Sequence, residues 1–159
     1  MTRRLPDVLP RGVFPLDVFL LDINVLIALI DPAHVQHDKA HAWFAAKGHK
    51  AWATCPITEN GVLRIVGHPR YPNSPGSPAA VADLLAAFLE LPGHAFWPDD
   101  VSLFDREHVN AGRLLDSAHL TDSYLLALAR AHKGQLATLD TRLVTDAVIQ
   151  GNQALHLIR

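Results

Sequence analysis

Cysteine is nearly missing from this chain: Cys55 is the single one in 159 residues. A lone thiol excludes a disulfide framework within the chain and fits a reducing cytoplasm. Cys55 stands before Pro56 with no paired His or Asn motif, which argues against a nucleophilic role. Long uncharged apolar runs are missing as well. "MTRRLPDVLPRGVFPLDVFLLDINVLIALIDP" is broken by Pro6, Pro10 and Pro15 and carries Asp17 and Asp22 in its apolar part. Nothing approaches the roughly 18 residues of a membrane span, so neither a transmembrane segment nor a signal peptide is expected. Nor does one sign of charge dominate: 14 Lys and Arg against 16 Asp and Glu leave a net charge of -2. Any nucleic-acid contact must therefore use a local patch rather than a global basic field. No glycine-rich phosphate loop follows a candidate strand, which argues against nucleotide binding of that kind. There are no internal repeats, no charge runs and no sign of a second domain.

What is present is a globular composition, 49% hydrophobic and 19% charged, with 10 histidines that add positive charge below about pH 6.5. Residues 1–16 read as a Pro-rich arm, and 17–159 as one domain. "DVFLLDI" has the continuous apolar character of a strand buried on both faces. "NVLIALIDP" predicts a short buried helix stopped by Pro32. "HVQHDKAHAWFAAKGH" predicts a helix with Val35, Ala40, Trp43 and Phe44 approximating one face and Gly48 as its stop. "KAWAT" and "HAFWP" read as strands, "PITENGVLRIVGH" as a helix entered through Pro56, and "PAAVADLLAAFLEL" as another helix. Between these two helices lies a Pro/Ser/Gly loop over 69–78. "LFDREHVNAGRLLD" is expected to be helical. "TDSYLLALARAHKG" predicts a helix with Thr121 or Asp122 as N-cap and Gly134 just past its end. "QLATL", "DTRLVTDAVI" and "ALHLI" read as strand, helix and strand. This alternation predicts an α/β fold, a three-layer α/β/α sandwich around a mostly parallel sheet.

Ligands of open α/β sheets bind outside the carboxyl ends of the strands. Asp22 closes the first strand and Asp140 closes "QLATL". Glu59 lies one turn into the helix after "KAWAT", and Asp122 lies at the start of "TDSYLLALA". Taken singly, Asp122 and Asp140 are plausible N-caps and Glu59 a solvated helix charge. Asp22, between Leu21 and Ile23 in an apolar run, is harder to explain, because an uncompensated buried carboxylate costs several kcal/mol. If the four converge they cannot all ionise without a counter-charge. A divalent cation removes the conflict, and an oxygen-only site selects Mg²⁺ or Mn²⁺ over Zn²⁺. Such a set suits metal-dependent phosphodiester hydrolysis.

"LLDINVLIAL", Glu59 in "PITENGVLRI", "LTDSYLLALA" and "QLATLD" follow the order and spacing of PIN-domain ribonucleases, and the chain from about Val18 onward most resembles the VapC toxins of bacterial VapBC toxin–antitoxin pairs. The resemblance implies a PIN-like fold and a metal-dependent endoribonuclease toxin. Its acidic quartet would be Asp22, Glu59, Asp122 and Asp140, with Asn24 orienting the site. It also implies an RNA substrate, a VapB-like antitoxin and a homodimer with apolar contacts from helices in the 23–90 region. "VADLLAAFLEL" is more apolar than one buried face requires, in keeping with that dimer. The Pro-rich arm and the 69–78 loop depart from the family pattern.

Other constellations carry less. His37 and His41 have helical spacing for a metal but no second segment of ligands, so a solvated helix face is expected. Ser123 lacks a nucleophile-elbow context and reads as a helix-start hydrogen bonder that supports the acidic site. Arg64, His68, Arg70, Arg106, His108, Arg113 and Arg142 could form a basic rim for RNA phosphates, or scattered surface charge. Trp43, Trp52 and Trp97 are expected in the core. A haloacid-dehalogenase-type phosphatase needs Asp two residues after its first Asp, where this chain has Asn24. A catalytically silent RNA- or protein-binding module predicts a broken acidic set, yet all four acids are present.

Overall fold

A computed structural model of the chain describes residues 18–159; the Pro-rich arm and Asp17 lie outside the described residues. β1 (Phe19–Leu21) leads into α1 (Ile23–Ile30) and α2 (His37–Ala46). β2 (Trp52–Thr54) leads into α3 (Pro56–Val66) and α4 (Pro78–Leu89). After β3 (His94–Phe96) comes an irregular segment with 3₁₀ turns at Ala111–Arg113 and Ser117–His119, then α5 (Leu120–Ala131). β4 (Gln135–Thr138), α6 (Gly151–Ala154) and β5 (Leu155–Leu157) follow.

The strands form one five-stranded sheet in the order β3-β2-β1-β4-β5, with every pairing parallel. The chain winds outward from β1 through β2 to β3, then returns to place β4 on the other side of β1. That reversal opens a crevice between the carboxyl ends of β1 and β4, where open α/β sheets bind their ligands.

Side-chain alternation along the strands builds the three layers. Phe19, Leu21 and Trp52 pack with Val25, Leu26, Phe44, Val62, Val81 and Leu85 of α1 to α4. Leu20, Ala53 and Leu136 pack on the opposite face with Leu125, Leu126 and Leu128 of α5 and Ala154 of α6. Both faces of β1 are buried, which is why its sequence runs apolar without alternation.

Local signals place most helix ends as expected. Pro56 and Pro78 open α3 and α4, and Ser77 Oγ accepts from Ala80 N–H at 3.2 Å. α5 ends with Lys133, not Gly134, in the left-handed region (φ 57°), while Gly134 N–H donates to Ala129 O at 2.9 Å. Gly134 is required for another reason: a Cβ there would lie 2.5 Å from Val18 O.

Several expectations are corrected. Residues 103–116 form no α-helix, because Asp105 and Asn110 carboxyl and amide oxygens accept from Glu107 N–H (3.0 Å) and Gly112 N–H (3.2 Å) and turn the backbone instead. Residues 140–149 are also non-helical. Asp140 Oδ1 accepts from Arg142 N–H at 2.9 Å, and Val148 bridges Val109. Val35 precedes α2 and is 96% exposed, since the helix begins two residues later at His37. Neither Thr121 nor Asp122 caps α5. Its N-cap is His119, so both lie within the first turn.

The 69–78 loop is present as expected and is pinned to the end of α1. Tyr71 Oη and Asn73 Nδ2 (2.7 Å) both donate to the buried Asp31 carboxylate. His37 and His41 are not a merely solvated face. Their ring nitrogens lie 2.7 Å from Ala28 O and 3.0 Å from Leu29 O, tying α2 to the last turn of α1. Trp52 and Trp97 are buried and Trp43 packs at the core's edge.

Candidate active site

Asp22 directly follows β1 and caps α1: its Oδ1 accepts from Ile23 N–H at 2.8 Å. The cap accounts for the turn from strand to helix but leaves Oδ2 to be satisfied in a buried place. Thr138, the last residue of β4, donates its hydroxyl to that oxygen at 2.7 Å. The Thr138 oxygen in turn accepts from Asn24 Nδ2 at 3.2 Å and from Asp140 N–H at 3.1 Å. Asn24 closes the ring by accepting from Leu139 N–H at 3.2 Å. Two adjacent strands and the helix after one of them are thus joined at the sheet's switch point.

The charges there oppose one another. Burial pushes the Asp22 carboxyl up to about 6, helped by the negative charges of Asp122 and Asp140 and opposed by the bonds from Thr138 and Ile23. Burial also raises Asp122, with Asp140 again adding to the rise. The fold therefore brings Asp22, Asp122 and Asp140 within electrostatic reach of one another. Glu59 stands apart on the same edge. Its Oε2 accepts from the Thr54 hydroxyl at 2.7 Å, and Thr54 Oγ1 lies 2.7 Å from His94 Nε2. Since the Thr54 proton goes to Glu59, His94 must donate from Nε2, which fixes its tautomer. Burial holds His94 below its ordinary value, keeping the ring neutral. Ser123 is buried beside Asp122 in the first turn of α5.

The two threonines are the site residues that motif reasoning passed over. Each ends an apolar strand, "WAT" and "QLAT", and each bonds a carboxylate. A lone polar residue closing a buried strand was the available signal. Of the expected basic rim, Arg64, Arg70, Arg106, Arg113, Arg142 and His68 are exposed, whereas His108 is engaged by Arg130 Nη1 at 2.8 Å. Asp105, Glu107 and His108 bring ligand atoms within 4.8 Å of one another. Asp105 serves its own turn there, bonding Glu107 N–H and facing His108 at 3.9 Å.

A parallel sheet reversing at β1/β4, with carboxylates gathered at that reversal, defines the class. Residues 19–146 match the PIN domain, and the chain belongs to that family. It is 45% identical over 129 residues to ribonuclease VapC44 of Mycobacterium tuberculosis (strain H37Rv), covering 81% of this chain and 90% of that protein. It is 41% identical over 128 residues to ribonuclease VapC39 of the same strain, covering 80% of this chain and 92% of that one. Ribonuclease VapC38, also of that strain, is 37% identical over 128 residues, at 80% and 89% coverage.

Proposed function

We propose that the protein is a divalent-metal-dependent endoribonuclease toxin of the VapC kind, with residues 17–159 as its PIN domain. It would act on RNA in the cytoplasm and be neutralised by a cognate VapB-like antitoxin. The observation that carries this reading is the buried Asp22, held at the β1/β4 crevice and forced toward its protonated form by burial and by Asp122 and Asp140.

Such a cluster fits a hard cation. Its donors are carboxylate oxygens, and a cation relieves a repulsion that the chain's own residues leave uncompensated. Asp22, Asp122, Asp140 and Glu59 would hold Mg²⁺ or Mn²⁺. When bound, the ion would supply polarisation of the scissile phosphate and a more acidic water. The chain's part is preorganisation. Thr138 and Ile23 N–H fix both oxygens of Asp22, Asn24 locks the end of β4 to the start of α1, and Thr54 holds Glu59 Oε2. Glu59 Oε1 would then be the oxygen left to face the ion. Among the described residues no helix is long and apolar enough to cross a membrane.

A homodimer belongs to the same proposal. Ile65 of α3, Leu84 of α4 and Leu91 just beyond it are 38%, 51% and 42% exposed, apolar surface of the kind a second copy would cover.

The test is cleavage of RNA by purified protein, abolished by EDTA and restored by Mg²⁺ or Mn²⁺. Asp22→Asn keeps the side chain's shape and should remove cleavage while leaving the fold. An Asp22→Asn protein that cuts at the wild-type rate would end the assignment.

A further inference from the structure

Both segments that forgo the expected helix, 103–116 and 140–149, meet beside the start of α5. Val109 and Val148 form an antiparallel bridge. Asn110 N–H donates to Ala147 O, and Ile149 N–H to His108 O, each at 2.8 Å. This clamp fixes a cavity of about 410 Å³ between the loop entering α5 and the loop leaving β4. The volume lies within the range of small-ligand sites, about 300–1,000 Å³. Its walls include Leu114, Leu115 and Val144, and its polar groups include Arg113, His119 and Asp146. Leu115 is 89% exposed, an unusual position for a large apolar side chain that does nothing.

The cavity adjoins the acidic cluster without being part of it. Ser123 lines it, and Ser123 follows Asp122 in the first turn of α5. His119, another lining residue, is the N-cap of α5, whose first turn carries Asp122. A group seated in the cavity would therefore neighbour whatever the acids hold.

We infer that this cavity is the recognition pocket for the nucleobase next to the scissile phosphate, with Asp146 selecting guanine. The inference rests on the ribonuclease reading for its substrate class. Single-stranded RNA is read by packing a splayed base against side chains and bonding its Watson–Crick edge. Leu114, Leu115 and Val144 offer the packing surface. Arg113 and His119 stand at the same cavity for the neighbouring phosphates. Of the two lining aspartates, Asp116 is already engaged: it accepts from Ala118 N–H at 2.9 Å and faces His119 Nε2 at 3.8 Å. Asp146 is then the acceptor for the base. An ionised carboxylate accepts only, through two oxygens side by side. Guanine alone presents two adjacent donors, N1–H and the N2 amino group, on its Watson–Crick edge. Uracil, cytosine and adenine each set an acceptor beside their donor there.

The experiment is a binding titration in EDTA, where no cleavage occurs. The probes are a fluorescein-labelled oligouridylate and the same oligomer with one internal guanosine, adenosine or cytidine. The guanosine probe should bind about tenfold more tightly than the others, a difference of about 1.4 kcal/mol. Asp146→Asn, exposed and outside the acidic cluster, should bring the four affinities together. Val144→Trp, which fills the cavity from a partly exposed position, should weaken guanosine binding toward the oligouridylate value. Equal wild-type affinities, or a guanosine preference that survives both substitutions, would overturn the pocket. Adding Mg²⁺ to the same mixtures reads the other hypothesis separately. RNA bound with guanosine preference but left uncut would keep the pocket and refute the ribonuclease.

Discussion

Thr138 and Asp22 are joined across the β1/β4 crevice by a 2.7 Å hydrogen bond from the threonine hydroxyl to Oδ2. The same hydroxyl oxygen receives Asn24 Nδ2 and Asp140 N–H, so one atom orders three polar residues of the crevice. Thr138→Val keeps the β-branched shape of the strand and removes every one of these bonds. Stripping partners from buried polar groups costs about 1–3 kcal/mol, and the melting temperature should fall accordingly. RNA cleavage should drop by about tenfold or more, the rate equivalent of about 1.4 kcal/mol of lost positioning. A Thr138→Val protein with wild-type melting and wild-type cleavage would show that the ring does not order the site.

Metal-free stability should decline with pH. Asp22 titrates at about 6 in the folded chain, against about 3.9 for an unfolded aspartate. The folded state therefore binds the extra proton. This contribution is fully present below about pH 4, is lost as pH rises through about 6, and then levels off. Its full size is up to about 3 kcal/mol, from two pKa units at about 1.36 kcal/mol each. Melts in EDTA from pH 4 to pH 8 measure it, and a flat profile would contradict it.

Mg²⁺ should reverse that loss, because it binds the folded site alone. At a hundredfold excess over its dissociation constant the gain is about 2.7 kcal/mol. Asp122→Asn removes one of the mutually repelling charges. It should melt higher than wild type without metal and respond less to Mg²⁺. A wild-type melting temperature unmoved by millimolar Mg²⁺, with Asp122→Asn no more stable than wild type in EDTA, would separate the acids into unrelated side chains.

The Thr54 hydroxyl should matter to turnover through Glu59. Thr54→Val leaves Glu59 Oε2 and His94 Nε2 without their shared partner. Its kcat should fall, and Thr54→Ser, which retains the hydroxyl, should recover most of it. Equal loss in both variants would point to packing instead.

The Asp31 staple should govern stability without touching chemistry. Hydrogen bonds from Tyr71, Asn73 and Ala33 N–H outweigh the cost of burial and hold Asp31 below its ordinary value. That stability is present above about pH 4 and is lost as pH falls through the depressed folded value. Tyr71→Phe should cost about 1–2 kcal/mol at neutral pH and less in acid. Cleavage per folded molecule should be unchanged, and a parallel loss of activity would connect the 69–78 loop to the site.

Expression in bacteria should arrest growth, and co-expression of the antitoxin should relieve it. Identical growth for wild type and Asp122→Ala would count against a toxin. Light scattering at micromolar concentration should give the mass of two chains; a single-chain mass would dismiss the dimer.

What the sequence determined by itself was everything carried by periodicity and local chemistry. Buried strands announce themselves as "FLL" and "QLA" because both faces are covered. Pro56 and Pro78 mark helix starts because a proline's missing N–H is tolerated only in a helix's first turn. Asp22 stood out because a carboxylate in an apolar run is costly wherever the run goes. Tertiary structure decided the rest, because it depends on atoms far apart in the chain. The two threonines became site residues only when β4 lay beside β1 and β3 brought His94 alongside β2. Segments 103–116 and 140–149 have helical-looking patterns, but their Asp and Asn side chains turn the backbone locally. The Val109–Val148 bridge then ties each loop to the other, at a sequence separation no local signal spans. Asp122 lost its expected capping role to His119 because the preceding 3₁₀ turn runs directly into α5. Its raised carboxyl, like that of Asp22, follows from how burial and neighbouring charge combine once the sheet has formed.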